Sequence, residues 1–124
     1  MSVRRGEAGD STGKKGEKIA AAYLRSVGYN ILCMNYRFRR CEVDIIARDG
    51  ETMVFIEVKT RRSLRFGHPI LSITPSKKRN ILKVAGAFVE KNNFPCSKIR
   101  FDVLTVIFAG NKPLVDHVRD AFRS

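Results

Sequence analysis

Apolar residues near the start of the chain recur with the spacing of a helix. They are Ile19, Ala20, Tyr23, Leu24 and Val27. Because residues three and four apart lie on one side of a helix, this pattern predicts an amphipathic helix. Ser11 or Thr12 is a suitable first residue, and Gly28 is a natural stop after Val27.

Three β-rich runs follow this helix. They are YNILCMNY (29–36), CEVDIIA (41–47) and TMVFIEVKT (52–60). The dipeptide Asp49-Gly50 separates the second run from the third and favours a type I′ hairpin turn. Three consecutive strands joined by short connections predict an antiparallel meander.

The second half of the chain again reads as a helix followed by strands. Thr74 is a plausible N-cap, Pro75 fits the first helical position, and an apolar face continues to about Asn92. Residues 97–108 form a long β-rich run, and residues 114–118 form a short one after the turn GNKP. The order αβββαββ predicts an α/β fold with a central mixed five-stranded sheet flanked by helices.

The Asp-Gly turn also predicts a register for the hairpin. If Asp49 and Gly50 form a two-residue loop, Asp44 opposes Phe55 and Glu42 opposes Glu57. One face is then wholly apolar, with Val43, Ile45, Ala47, Val54, Ile56 and Val58. The other face carries Glu42, Asp44, Glu57 and Lys59 beside Ile46, Met53 and Phe55.

In this register Asp44 and Glu57 are diagonal neighbours whose backbones lie roughly 7–8 Å apart. Two carboxylates about 6 Å apart repel by about 3 kcal/mol at an effective dielectric near 20. A divalent cation would convert this repulsion into attraction, and hard oxygen ligands suit Mg²⁺ or Mn²⁺. The alternative is that the alternating charges mark only the solvated face of a half-buried hairpin.

Positive charge dominates the rest of the chain. It has 24 Lys and Arg against 12 Asp and Glu, a formal charge of +12, in 124 residues that fit one domain. Arginines flank the acidic strands: Arg37, Arg39, Arg40, Arg61 and Arg62. The second helix begins with Lys77, Lys78 and Arg79, which either contact a phosphate or form a solvated helix end. A metal cluster ringed by arginines suits a phosphodiester, so nucleic acid is the leading partner.

Other features limit the location of the protein. Its apolar runs are far shorter than the ~20 residues that span a bilayer, so no membrane partner is expected. Residues 1–12 are basic without a following apolar segment, which predicts a flexible arm before a domain at 13–124 rather than a secretory signal. Cys33, Cys41 and Cys96 are interpreted as buried thiols in a reducing cytoplasm.

Four segments together resemble a known family. They are GEKIAAAYLRSVGY, NYRFRRCEVDIIARDGETMVFIEVKTR, and the later RFG and SKKRNI motifs. Across residues 13–122 the chain resembles the YraN-like family of predicted bacterial endonucleases. That family is similar to archaeal Holliday-junction resolvases and to the restriction-endonuclease-like fold with its PD-(D/E)xK site.

The resemblance implies roles for five residues. Asp44 and Glu57 would be the metal-binding acids, Lys59 the catalytic lysine, and the Val58 carbonyl a further metal ligand. Glu17 matches a helix-borne acid that completes the site in the resolvase-like branch, or is a solvated acid paired with a nearby lysine. The implied protein is a Mg²⁺- or Mn²⁺-dependent endonuclease of duplex or branched DNA, cytoplasmic, associated with the nucleoid if DNA-bound, and a possible homodimer.

Two neighbouring positions fit the pattern less closely. Glu42 matches a frequent acid of the family, but it is equally interpreted as a salt-bridge partner of Arg40 or Arg62. Cys41 stands where the family usually has glycine, and the resemblance implies that a Cβ there would alter a bulge or the approach of the substrate backbone. Two other functions also explain the charge: a non-catalytic nucleic-acid-binding module, and a basic surface that contacts an acidic protein.

Overall fold

The computed structural model describes residues 3–65, 67–93 and 98–122, with side chains from Gly13 onward. Its elements are α1 (Val3–Ser26), β1 (Asn30–Phe38), β2 (Cys41–Asp49), β3 (Thr52–Arg61), a 3-10 turn (Pro69–Ser72), α2 (Pro75–Asn92), β4 (Lys98–Ile107) and β5 (Leu114–Val118). The predicted order αβββαββ is therefore confirmed. In this part of the chain, the helices are too short or too polar to cross a membrane.

The five strands form one mixed sheet in the order β1-β2-β3-β4-β5. β3 and β4 are parallel, whereas the other neighbours are antiparallel. A parallel connection needs a long crossover, and α2 supplies it. Thr74 Oγ1 caps this helix by accepting from Lys77 N at 3.1 Å, and Pro75 occupies its first turn, both as predicted.

Helices cover both faces of the sheet, so both faces are apolar. On one face α1 packs through Ala20, Ala21 and Leu24, against Ile45, Ala47, Val54, Ile56, Leu104 and Val106. On the other face α2 packs through Ile81, Val84, Ala85 and Phe88, against Val43, Ile46, Met53, Phe55, Phe101 and Val103. The architecture is a three-layer α/β/α sandwich, which is consistent with the restriction-endonuclease-like fold.

The N-terminal helix is longer than predicted. It begins at Val3 rather than near Ser11 or Thr12, so most of the predicted arm has helical backbone. The cap signal at Ser11 and Thr12 is overridden because extending a helix that is already nucleated adds one hydrogen bond per residue. Flexibility of residues 1–12 and a domain boundary after Thr12 stay predictions. Cys33 and Cys41 are free and half-buried, and Cys96 lies outside the described residues.

The predicted hairpin register is wrong. Asp49 pairs with Thr52, so the two-residue loop is Gly50-Glu51 rather than Asp49-Gly50. Of these two loop residues only Gly50 has a left-handed backbone, with φ 65°, as in a type II′ turn. The error shifts every cross-strand partner by two residues, which leaves the faces unchanged but moves Asp44 to the level of Glu57.

The predicted face of Val43 is also wrong. Val43 packs on the α2 side with Tyr36, whereas Ile45 packs on the α1 side with Met34. Between the two pairs, Asn35 has a left-handed backbone with φ 51°. In β1 this conformation interrupts the two-residue alternation, so Met34 and Tyr36 lie on opposite faces, and their partners Ile45 and Val43 in β2 show the same change.

Gly16 lets α1 approach β3 closely. A Cβ at residue 16 would lie 2.4 Å from Thr60 Oγ1, whereas a Cβ at Gly13 of the same helix would meet nothing within 4 Å. We expect Gly16→Ala to lower the free energy of unfolding by about 1–3 kcal/mol through overpacking. Gly13→Ala, the matched control, should raise it by up to about 1 kcal/mol because alanine favours the helix.

Urea denaturation of both variants measures this difference. Combining Gly16→Ala with Thr60→Ala should recover much of the loss, because the conflicting hydroxyl is removed. Equal stabilities of Gly16→Ala and Gly13→Ala would show that the close approach of α1 to β3 does not exclude a side chain at residue 16.

Candidate active site

The predicted site residues lie where β2 and β3 separate. Pairing between the two strands ends at Ile45 and Ile56. Beyond that point β2 continues to pair with β1, as Val43 does with Tyr36, while Glu57 pairs with Val103 of β4. The fork exposes the polar groups of both strands to one another, which explains how acids occupy the middle of a buried sheet.

Asp44 forms a hydrogen bond across this fork. Its Oδ2 accepts a hydrogen bond from the backbone N of Val58 at 2.8 Å, in place of a strand carbonyl. Burial raises the pKa of Asp44 to about 7, with further increases from the negative charges of Glu57 and Glu17. The Val58 hydrogen bond and Lys77 oppose this rise. Asp44 therefore gains or loses a proton near neutral pH.

Glu57 is buried and ion-paired. Its side chain is 7% exposed, and its Oε2 lies 3.6 Å from Lys59 Nζ and 3.3 Å from Lys77 Nζ. The predicted grouping of Asp44, Glu57 and Lys59 at one place is thus present. Lys77, predicted only as a DNA contact, joins the same group from the first turn of α2.

The oxygen atoms of the acids fit a hard cation. Asp44 Oδ2 accepts from Val58 N and Glu57 Oε2 contacts both lysines, while among the described residues no side chain or backbone group donates a hydrogen bond to Asp44 Oδ1 or Glu57 Oε1. Carboxylate oxygens with neighbouring charges that repel suit Mg²⁺ or Mn²⁺. Within residues 13–65, 67–93 and 98–122, no three His, Cys, Asp or Glu side chains already converge as a metal site.

Glu17 lies near the two acids but is held elsewhere. Its Oε1 accepts from Asn35 Nδ2 at 3.1 Å. Asn35 carries the left-handed backbone beside the fork, a conformation that asparagine tolerates better than most residues. No sequence pattern indicated that Asn35 lies at this site. The metal-ligand roles of Glu17 and of the Val58 carbonyl stay predictions.

Clefts lined by basic residues flank α1 on two sides. One, of about 640 Å³, is lined by Lys14, Glu17, Lys18, Asn35, Arg37 and Glu42. The other, of about 550 Å³, is lined by Lys15, Thr60, Arg61 and Arg62. Both contain Gly13. Arg37, Arg61 and Arg62 of the predicted DNA contacts therefore line these two clefts, whereas Asp44, Glu57 and Lys59 line neither of them.

The remaining predicted contacts differ in their surroundings. Arg37 is 3.8 Å from Glu42, so this acid pairs with Arg37 rather than with Arg40 or Arg62. The guanidinium of Arg39 lies over the Phe38 ring at 5.2 Å. Arg40 is exposed at the turn between β1 and β2.

The three basic residues at the start of α2 do not act as a set. Lys77 contacts Glu57, Lys78 Nζ lies 5.5 Å from the centre of the Phe122 ring, and Arg79 is exposed. Successive residues of a helix point about 100° apart, so these three side chains point in different directions, and their contacts with DNA stay predictions. Only Lys77 reaches the acids.

A second polar cluster was missed from the sequence. Asp102 of β4 is completely buried and accepts from Arg100 Nε at 2.9 Å, His117 Nε2 at 2.8 Å and Asp120 N at 3.0 Å. Arg100 also donates to Asp49 at 3.2 Å and to the Tyr29 hydroxyl. Because these charged groups all have partners within the cluster, we interpret its role as structural: it connects the ends of β2, β4 and β5.

Asp44 should make stability depend on pH. Between the unfolded pKa, near the ordinary value of 3.8, and about 7, the folded chain retains a proton that the unfolded chain has lost. Stability of the metal-free protein therefore falls as pH rises through this window, and Asp44→Asn should remove that loss. The free energy of unfolding of Asp44→Asn, relative to that of the natural chain, should therefore increase by roughly 2 kcal/mol as pH rises through this window. This is about half of what the full pKa shift would give at 1.36 kcal/mol per pKa unit, because solvent screens this half-buried group.

Denaturation in urea at about pH 4 and about pH 7, with a chelator present, measures this change. Glu90→Gln, at an exposed position of α2, is the control and should show no such growth. An advantage of Asp44→Asn that stays constant or shrinks with pH would contradict the raised pKa.

Comparison with known proteins shows the family. The sequence profile described as "Uncharacterised protein family UPF0102" matches residues 16–106. The chain belongs to the UPF0102 family. A UPF0102 protein of Geobacter metallireducens is 45% identical over 112 residues, covering 90% of this chain and 92% of the relative.

Other UPF0102 relatives are similarly close. A protein of Chlorobaculum tepidum is 45% identical over 116 residues, covering 89% of this chain and 90% of the relative. A protein of Nocardia farcinica is 41% identical over 111 residues, covering 89% of this chain and 87% of the relative. The predicted membership of the YraN-like family is thus confirmed, and the matched segment of UPF0102 includes Glu17, Asp44, Glu57, Lys59 and Lys77.

Proposed function

We propose that this UPF0102 protein is a divalent-metal-dependent endonuclease that hydrolyses phosphodiester bonds in DNA. The single observation that carries the proposal is the meeting of Asp44, Glu57 and Lys59 at the fork between β2 and β3. A purely structural sheet has no need of two neighbouring acids there, because their mutual repulsion lowers stability.

Each side chain has a distinct task in the proposed reaction. Asp44 and Glu57 would hold Mg²⁺ or Mn²⁺ through carboxylate oxygens, with Glu17 and the Val58 carbonyl as further candidate ligands. When bound, the ion would polarise a phosphoryl oxygen and promote ionisation of the attacking water. Water then forms a new bond to phosphorus, the P–O ester bond breaks, and the leaving oxygen takes up a proton.

Lys59 would stabilise the negative charge that develops on the phosphate. Its ammonium lies 3.6 Å from Glu57 and its side chain is 21% exposed, so it is both fixed and able to reach a substrate. A fixed positive charge aimed at a developing anion acts without reorganisation during the reaction.

The basic clefts on either side of α1 support DNA as the substrate. Lysines and arginines that contact phosphates bind without regard to sequence, and their contribution falls as salt increases. Arg37, Arg61 and Arg62 would therefore position the backbone, while the acids determine where it is cut. Preference for branched over linear duplex DNA, and a homodimer that cuts twice, are finer predictions of the same proposal.

A non-catalytic nucleic-acid-binding module is the second candidate. Its support is that Lys59 and Lys77 already neutralise Glu57, so the acid does not require a metal for charge balance. This candidate predicts salt-dependent DNA binding without cleavage under any metal.

Incubation with labelled DNA separates the two candidates. Purified protein is mixed with duplex, single-stranded and four-way-junction DNA in Mg²⁺, Mn²⁺, Ca²⁺ or a chelator. The proposal expects cutting in Mg²⁺ or Mn²⁺ and none in the chelator. DNA binding at low salt with no cutting of any substrate would instead favour the binding module.

A further inference from the structure

Two lysines converge on one buried carboxylate oxygen from different elements. Lys59 belongs to β3 and Lys77 to α2, and both contact Glu57 Oε2. The Lys77 contact, 3.3 Å, is shorter than the Lys59 contact, 3.6 Å. Lys59 already supplies one counter-ion to Glu57, and Lys77 brings a second positive charge that acts on both Glu57 and Asp44.

The position of Lys77 is fixed by the beginning of α2. Thr74 Oγ1 accepts from the backbone N of Lys77 at 3.1 Å, which holds this residue in the first helical turn. A positive charge in the first turn opposes the helix dipole and so destabilises the helix. Contact with Glu57 offsets that cost, and it directs the ammonium to the acids instead of to solvent.

The side chain of Lys77 also reaches the surface. It is 41% exposed, against 21% for Lys59 and 7% for Glu57. Lys77 thus joins the buried acid to the solvent from which a substrate must arrive. Its two neighbours are placed differently, since Lys78 lies over Phe122 and Arg79 is exposed.

We propose that Lys77 is a second lysine of the active centre, which contacts the reacting phosphate rather than only the DNA backbone nearby. This inference rests on the nuclease function proposed above. A divalent cation bound by Glu57 would repel both ammonium groups, and the phosphate is the anion next available to Lys77. Its action is electrostatic: no bond to Lys77 forms or breaks, and its ammonium keeps its protons.

Two measurable effects of opposite sign follow from this role. Without Lys77 a competing positive charge at Glu57 is lost, so the protein should bind Mn²⁺ more tightly, by about 3- to 10-fold. At the same time turnover at saturating DNA and metal should fall by about 10- to 100-fold, because one fixed charge near the transition state is absent. A residue that only stabilises α2 would not produce this combination.

The experiment compares the full chain with Lys77→Gln, Lys77→Arg and Lys83→Gln. Lys83 is an exposed lysine of α2 and serves as the control for loss of one positive charge. For each variant, Mn²⁺ binding is measured by calorimetry in the absence of DNA, and DNA affinity is measured in Ca²⁺. Turnover is measured in Mn²⁺, and thermal unfolding shows whether each variant is folded. We expect tighter Mn²⁺ binding and slower turnover for Lys77→Gln alone, with part of the turnover restored by Lys77→Arg.

Several results would overturn the inference while leaving the nuclease function intact. One such result is that Lys77→Gln binds DNA more weakly but turns it over at an unchanged rate. Another is that Lys77→Gln binds Mn²⁺ more weakly than the natural chain does, or equally well. Failure of the natural chain to cut any DNA would overturn both proposals. The Mn²⁺ titration, which needs no cleavage, would then still report whether Lys77 competes with a cation for Glu57.

Discussion

Asp44→Asn is expected to reduce metal-dependent DNA cleavage by at least about 10³-fold, since loss of a metal ligand removes several kcal/mol of transition-state stabilisation. The protein should remain folded. Asparagine keeps an oxygen that accepts from Val58 N, and it removes a buried charge whose pKa is raised to about 7. The loss of activity should therefore come without loss of stability.

Glu90→Gln is the control for this variant, because it makes the same acid-to-amide change at an exposed position of α2. Cleavage rates under single-turnover conditions, with Mg²⁺ varied, would be compared for the two variants and the natural chain. If Asp44→Asn cuts DNA as fast as Glu90→Gln does, the catalytic centre must lie elsewhere.

The second large effect is expected for a substitution of Asp102, and it is an effect on stability rather than on activity. Asp102→Asn should lower the free energy of unfolding by about 3 kcal/mol, because it leaves the half-buried Arg100 guanidinium without its main counter-charge. Burial opposes ionisation of Asp102, but hydrogen bonds from His117, Arg100 and the Asp120 backbone outweigh it and lower the pKa. The stability that Asp102 contributes is thus present above the unfolded pKa, and it is lost as pH falls through the lower folded one.

Asp116→Asn provides the matched comparison on β5. The Asp116 side chain is 42% exposed and pairs with His68, so its loss should cost less than about 1 kcal/mol. Urea denaturation at neutral pH would measure both. Similar small losses for the two variants would mean that the Asp102 cluster contributes little to the fold.

The order of elements was predictable because it depends on local patterns. The helical spacing around Leu24, the alternation through Phe55 and the cap at Thr74 each act over a few residues. Asp44, Glu57 and Lys59 were also grouped correctly, despite the wrong turn. An error of two residues in register preserves which face each side chain occupies, so the grouping survived it.

Features that depend on tertiary structure were not predictable in the same way. Val43 lies on the opposite face from Ile45, beside the left-handed backbone of Asn35 in the paired strand, and no spacing rule signals this change. The Asp102 cluster joins residues from separate strands, including Asp49 and His117. Lys77 looked equivalent to Lys78 in the sequence, and only the orientation of α2 distinguishes them.

A crystal structure of the full chain soaked in Mn²⁺, with anomalous scattering recorded, addresses the central claim directly. It should show a peak contacted by carboxylate oxygens of both Asp44 and Glu57, with the ammonium groups of Lys59 and Lys77 displaced from Glu57. A fully soaked crystal with no peak there, and with both lysines still paired to Glu57, would contradict the proposed metal centre.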